Sequence, residues 1–139
     1  QGNAYRKKSW SLNKFINLAK SIINKGYKPV FFLNDNDNDL IDNIKLEINS
    51  ALFPEIETNL SCPALITAMA TRLEKAISID NGIMHMIGLA NIPMIVLFGP
   101  TNSKKFAPKI ENIEILDSKI INNSDDIETI GEEDVLKFI

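Results

Sequence analysis

Ile77-Ser78-Ile79-Asp80-Asn81-Gly82-Ile83-Met84-His85-Met86-Ile87-Gly88-Leu89-Ala90-Asn91-Ile92-Pro93-Met94-Ile95-Val96-Leu97-Phe98-Gly99-Pro100-Thr101 is the stretch whose reading decides the fold. It reads as a strand, a polar loop, a helix from Ile83 to Ala90, a second strand from Met94 to Phe98, and a Gly-Pro loop. In an open parallel sheet, loops at the carboxyl ends of strands are where ligands sit. Here two such loops follow in succession. One opens straight into a helix, whose free N–H groups and positive dipole end suit the phosphates of a nucleotide.

Working outward, Leu12, Phe15, Ile16, Ala19, Ile22 and Ile23 follow the helical period, with Ser11 placed to cap and Gly26 to stop the helix. Lys28 to Leu33 predicts a buried strand. Ile41, Ile44, Ile48 and Ala51 mark a second helix. An extended piece around Glu55 to Asn59 leads to Ser61 as an N-cap, with Pro63 just inside a third helix whose inward stripe is Leu65, Ile66, Met69 and Leu73. Further strands are expected at Ala76–Ile79 and Asn112–Leu116, then a polar loop from Asp117 to Asp126 and a final helix from Glu132 to Ile139. This alternation argues for one Rossmann-like α/β domain over residues 1–139, a parallel sheet with helices on both faces. Gln1-Gly2-Asn3-Ala4 reads as a loop with no strand feeding it. A doubly wound domain rarely starts that way, so a strand upstream is expected.

With 139 residues the chain can bury a real core as one domain. A net charge of -3 announces no basic face for nucleic acid. Lone Cys62 excludes an internal disulfide and a cysteine-based zinc cluster. The longest apolar stretch, Met84 to Phe98, is interrupted by His85, Asn91 and Pro93, so no integral membrane segment is expected. A soluble cytoplasmic protein is the expectation.

Gly82 lets the backbone approach a ligand closely. Asp80 can accept hydrogen bonds from sugar hydroxyls or fix the loop, and it is equally suited to cap the following helix. His85 stands in the first turn of that helix, where the dipole disfavours its charged form and a neutral imidazole donating one hydrogen bond is expected. A lone histidine more often serves structure than catalysis, and as the only one it excludes a multi-histidine metal site.

The run Asn34-Asp35-Asn36-Asp37-Asn38-Asp39 matches the opening of a calcium loop. That reading fails, because Leu40 stands where the turn needs Gly and Leu46 where the bidentate Glu belongs. An Asp-x-Asp metal motif fits the letters, as does any acidic loop. The run also reads as a solvated helix start, or as one carboxylate of Asp35, Asp37 and Asp39 gripping a ribose diol. Lys7 and Lys8, before Trp10, can put an ammonium on a phosphate. Thr101, Asn102 and Ser103 offer hydroxyl and amide groups to an anion, and equally make a well-formed βα turn.

Four elements together resemble one family. Lys8-Ser9-Trp10 followed by Phe15 is similar to its Lys-x-Trp-(Pro)…Phe element, and Asp80-Asn81-Gly82-Ile83-Met84-His85 to its Asp-(Thr/Ser)-Gly-x-x-His segment. Pro93 through Phe98-Gly99-Pro100-Thr101 resembles its Pro-x-x-x-x-Phe-Gly-Pro-Thr segment, and Ile130-Gly131-Glu132-Glu133-Asp134-Val135 its closing Ile-x-Pro-Glu-Glu-Val. The family is the ADP-heptose:lipopolysaccharide heptosyltransferases, glycosyltransferase family 9. The resemblance is to its C-terminal domain and runs over nearly the whole chain.

It implies the C-terminal half of a GT-B fold and an inverting, metal-independent transfer of heptose from ADP-heptose, or a similar nucleotide-sugar, to the lipopolysaccharide inner core. On that model Lys8 contacts the donor phosphates, while Asp80, Asn81 and Gly82 hold the sugar and diphosphate. His85 stands behind them ordering the loop, Asp37 takes the ribose, and Thr101 joins the donor site. The catalytic base and the acceptor site are expected in an N-terminal domain outside this chain, so no catalytic residue is expected here. The setting implied is cytoplasmic, peripheral to the inner membrane of a Gram-negative bacterium. Asn81 departs from the family's Thr or Ser, and the acidic run lacks its glycines and Glu. The alternatives are a non-enzymatic Rossmann-like binding module and a GT-B transferase using a UDP- or GDP-sugar.

Overall fold

A computed structural model describes residues 7–33, 37–58 and 62–139. Strands β1 (Ala76–Ile79), β2 (Met94–Phe98) and β3 (Ile113–Asp117) lie side by side in that order, all parallel. Every residue of β2 is buried, because a central parallel strand is covered on both faces. Met94, Val96 and Phe98 pack with Ile66 and Ala70 of α3 (Pro63–Ala70) and with Met84 and Ile87 of α4 (Gly82–Gly88). Ile95 and Leu97 point the other way. They meet Leu18 of α1 (Leu12–Asn24), together with Trp10, Leu116, Ile127 and Ile130, and Val135 of α7 (Glu132–Leu136). Each such fully buried apolar side chain contributes about 1.5–3 kcal/mol. The chain thus has the Rossmann-like layering expected, helices on both faces of a parallel sheet.

A third cluster joins Ile16 and Ala19 of α1 to Ile44 of α2 (Asn38–Glu47), with Ile48 and Phe53. Gly26 ends α1 at φ 91°, a left-handed position that suits glycine. Its N–H bonds the Ile23 carbonyl while that of Tyr27 bonds the Ile22 carbonyl, satisfying two orphan acceptors of the last turn. Ser11 stands at the N-cap, but its side chain makes no capping bond; its N–H donates to Oε2 of Glu128 at 2.8 Å instead.

Several elements differ from the expectation. The strand at Lys28–Leu33 is reduced to one parallel bridge, Val30 to Leu52, because Leu33 gives its N–H to Oε2 of Glu55 rather than to a second strand. Glu55 to Glu57 lies in a turn, closed by bonds from Ile56 to Phe53 and from Glu57 to Pro54. Ser61 lies outside the described residues; Cys62 holds the N-cap position of α3, with Pro63 at its first turn. The loop expected from Asp117 to Asp126 contains α6 (Ser118–Ile121), preceded earlier in the chain by α5 (Ser103–Phe106). No helix among the described residues is long and apolar enough to cross a membrane.

Candidate functional site at the carboxyl ends of the strands

The site begins with a stitch between distant parts of the chain. The Lys7 carbonyl accepts from the N–H of Ile127 at 3.1 Å, and the Lys7 ammonium reaches both carboxylate oxygens of Asp125 at 2.8 Å. That hydrogen-bonded ammonium holds the Asp125 carboxyl below the usual carboxylate range. The Trp10 indole N–H donates to the Ile130 carbonyl at 2.9 Å, and its ring meets Phe15 edge-on at a centroid separation of 4.8 Å. Residues 7–11 are thereby laid across the ends of β1 and β2. Gly99 permits this: a Cβ there would stand 2.5 Å from the Lys7 carbonyl oxygen.

Lys8 is the consequence. Its Nζ stands 3.8 Å from Oδ2 of Asp80, the residue that follows β1, and the Asp80 side chain is only 14% exposed. Asp80 does not cap α4. Asn81 does, its Oδ1 accepting from the N–H of Met84 at 3.0 Å. Asn81 therefore serves the loop through its carbonyl oxygen, and the Asp80 carboxylate is left facing Lys8. Above Gly82 the space is open, with nothing within 4 Å of where a Cβ would sit.

At the next strand end, Lys119 donates through Nζ to the Gly99 carbonyl at 2.7 Å and also to that of Thr101. Asp117, buried at the end of β3, accepts from Ser103 Oγ at 2.7 Å and from the N–H of Lys119 at 3.0 Å. These contacts fix the backbone of the Gly-Pro loop. Thr101 Oγ1 is buried there with no hydrogen-bond partner among the described residues. Neither Asp117 nor Lys119 is a residue that spacing singled out; the one available signal is that Asp117 ends a strand beside the two loops already chosen.

The structure thus brings Lys8, Asp80, Asn81, Gly82 and Thr101 to adjacent strand ends. His85 lies on α4 with its side chain exposed. Asp37 lies elsewhere, at the N-cap of α2 without a side-chain capping bond, while Asp35 lies outside the described residues. Beside α2 a smaller cavity of about 210 Å³ is lined by Phe31, Leu33, Ile41, Phe53, Glu55 and Thr58. Among the described residues, no group of three or more His, Cys, Asp or Glu is gathered to hold a metal ion. Chemically, the arrangement offers an ammonium and a free hydroxyl to an anion, with a carboxylate acceptor alongside.

Comparison with known proteins bears on this arrangement. The family model described as "Glycosyltransferase family 9 (heptosyltransferase)" matches residues 2–135. Lipopolysaccharide heptosyltransferase 2 of Salmonella typhimurium is 30% identical over 115 residues, covering 76% of this chain and 30% of that protein. The crystal structure of the glycosyl transferase family 9 from Veillonella parvula superposes with a TM-score of 0.79 at 25% identity, covering 98% of this chain and 42% of that one. The E. coli heptosyltransferase WaaC with ADP shares the fold at a TM-score of 0.79 and 12% identity, covering 95% of this chain and 39% of that one. The chain therefore spans well under half the length of the relatives it matches.

Proposed function

The chain belongs to glycosyltransferase family 9, and from that premise we propose that it is the donor-binding part of a transferase that moves heptose from ADP-heptose to a lipopolysaccharide inner-core acceptor. The observation that carries this reading is the pairing of Lys8 with Asp80 at the end of β1, beside the unsatisfied hydroxyl of Thr101. A diphosphate laid across these ends takes the Lys8 ammonium and the Thr101 hydroxyl, both charge-assisted contacts. Asp80 then accepts from the sugar hydroxyls.

In an inverting transfer the acceptor hydroxyl attacks the anomeric carbon on the face opposite the departing diphosphate. The charge that develops on that diphosphate falls where Lys8 stands, so this domain stabilises the leaving group without a metal. Activation of the acceptor belongs to a base in an N-terminal acceptor domain, cytoplasmic and peripheral to the membrane. Adenine as the base follows from the family and from the ADP named in the WaaC structure.

Calorimetric titration of the chain with ADP, UDP and GDP, with and without magnesium, tests the reading. Saturable, magnesium-independent binding selective for ADP is expected. Selectivity for UDP or GDP would assign a different donor, and heptose transfer by the chain alone would overturn the division of labour.

A further inference from the structure

Asn81-Gly82 is the one Asn-Gly pair in the sequence, and both of its residues are exposed to solvent beside Asp80. Three groups meet there in a way that suits a reaction of the chain with itself. Gly82 opens α4, so its N–H is not spent in the helical ladder. No Cβ shields that nitrogen, and nothing stands within 4 Å of where one would sit. The amide carbon of Asn81 is the neighbouring electrophile, on a side chain whose Oδ1 accepts from the N–H of Met84 at 3.0 Å. That bond draws electrons from the amide carbon and stands ready for charge on Oδ1, as an oxyanion donor does. Asn102 provides the contrast. It caps α5 in the same manner, its Oδ1 accepting from the N–H of Lys105 at 3.2 Å. The residue that follows it, however, is Ser103, which bears a Cβ, is buried, and is tied through Oγ to Asp117.

We propose that Asn81-Gly82 is a self-modification site, at which the folded chain converts its own asparagine to aspartate and isoaspartate and so retires the nucleotide site. The Gly82 nitrogen attacks Cγ of Asn81, forming an N–Cγ bond and placing negative charge on Oδ1, where the Met84 N–H receives it. Gly82 gives up its proton to solvent, and Nδ2 takes one and leaves as ammonia, closing a cyclic imide. Water then opens the ring. Cleavage of the new N–Cγ bond leaves aspartate in the original main chain. Cleavage of the bond from the Asn81 main-chain carbonyl to that nitrogen leaves isoaspartate, with the main chain one carbon longer. In sum a water is consumed and an ammonia released, with no change of oxidation state. Aspartate caps a helix as well as asparagine does, and a carboxylate at a helix start is favoured, so the aspartate form keeps the fold. Both products place a new carboxylate beside Asp80. On the donor reading above, on which this consequence rests, it faces the diphosphate that Lys8 attracts, and like charge weakens binding.

The test is to incubate the purified chain in mildly alkaline buffer and follow each asparagine by peptide mapping and mass spectrometry, beside Gly82→Ala. Alanine fits there, because Gly82 lies outside the left-handed region and the space above it is open. Asn81 is expected to convert roughly tenfold or more faster than Asn102, and Gly82→Ala to bring it down toward the Asn102 rate. Conversion of Asn81 no faster than that of Asn102 would overturn the proposal, since the cap would then be protecting the pair. So would conversion that Gly82→Ala does not slow. Calorimetry with ADP is then run on the fresh chain, the converted chain and Asn81→Asp. ADP binding by the fresh chain is expected to weaken roughly tenfold in the other two, with the Tm of Asn81→Asp close to that of the fresh chain. Equal binding before and after conversion would refute the consequence for the site. A fresh chain that binds no ADP would defeat the donor reading alone, and the mass spectra would still decide whether the modification occurs.

Discussion

The ammonium of Lys8 stands 3.8 Å from Oδ2 of Asp80, a cation from the segment before α1 beside the carboxylate that directly follows β1. At that separation, with Lys8 40% exposed, the pair adds about 0–1 kcal/mol to stability. Its value lies in placement: in the proposed donor site, the groups for phosphate and for sugar are already side by side.

Lys8→Ala is expected to weaken ADP binding by about 1.5–3 kcal/mol, roughly tenfold to a hundred-and-fiftyfold in Kd, through loss of a charge-assisted contact. Calorimetry reads it. An unchanged Kd would place Lys8 in solvent.

Asp80→Asn separates donor sugar from donor phosphate. The chain is expected to keep its Tm to within a few degrees and to bind ADP as well as before or better, while its affinity for the full ADP-sugar falls. Equal loss for both ligands would mean that Asp80 acts on the fold of the loop and not on the sugar.

Asn81→Ala removes the side-chain acceptor for the Met84 N–H and is expected to cost about 0.5–2 kcal/mol in chemical denaturation. Asn81→Ser keeps a capping acceptor, one bond shorter, and should recover most of that. Because the family pattern has Thr or Ser here, recovery would show that the position is held for its cap.

Asp117→Ala strands the Ser103 hydroxyl and the Lys119 N–H in a buried setting, at an expected cost of about 1–3 kcal/mol. Lys119→Met leaves Asp117 in place but releases the carbonyls of Gly99 and Thr101. The expected result is a smaller change in Tm with faster amide exchange around Thr101. Loop exchange that stays unchanged would mean the loop holds its shape without Lys119.

Asp134 sets an acid limb. The Lys137 ammonium beside it, and then the Gly131 N–H that its Oδ2 accepts at 3.1 Å, hold its carboxyl below the usual range. A group whose folded pKa is depressed contributes stability that is present above its unfolded value, about 4, and lost as pH falls through the folded one. Asp134→Asn should therefore cost about 0.3–1 kcal/mol at neutral pH and flatten the unfolding curve below pH 4. A variant with the wild-type slope in acid would remove Asp134 from that limb.

The strands and helices between Ile77 and Thr101 were legible because their signals are local, an apolar run closed by polar or Gly-Pro breaks. Lys28–Leu33 has the same composition as a strand, yet a ladder needs partners, and partners are not written in a segment's own residues. Asp80 was the cap the sequence suggested, and Asn81 takes the role for a similar reason, since both residue types cap well and only the backbone path decides that Oδ1 of Asn81 reaches Met84. Helical spacing put His85 on α4 but not on its exposed side. Asp117 and Lys119 act only through contacts with Ser103, Gly99 and Thr101, which no spacing rule connects to them.

The stitch between residues 7–11 and 125–130 imposes an order on events. Lys8 is synthesised well before Ile127 and Ile130, which help to fix it over Asp80. A nascent chain that has reached Ser118 already contains the whole cluster of Lys8, Asp80 and Thr101 while Lys8 is still untethered. The cluster of Lys8, Asp80 and Thr101 is thus held in place by residues that come much later in the sequence than Lys8 itself.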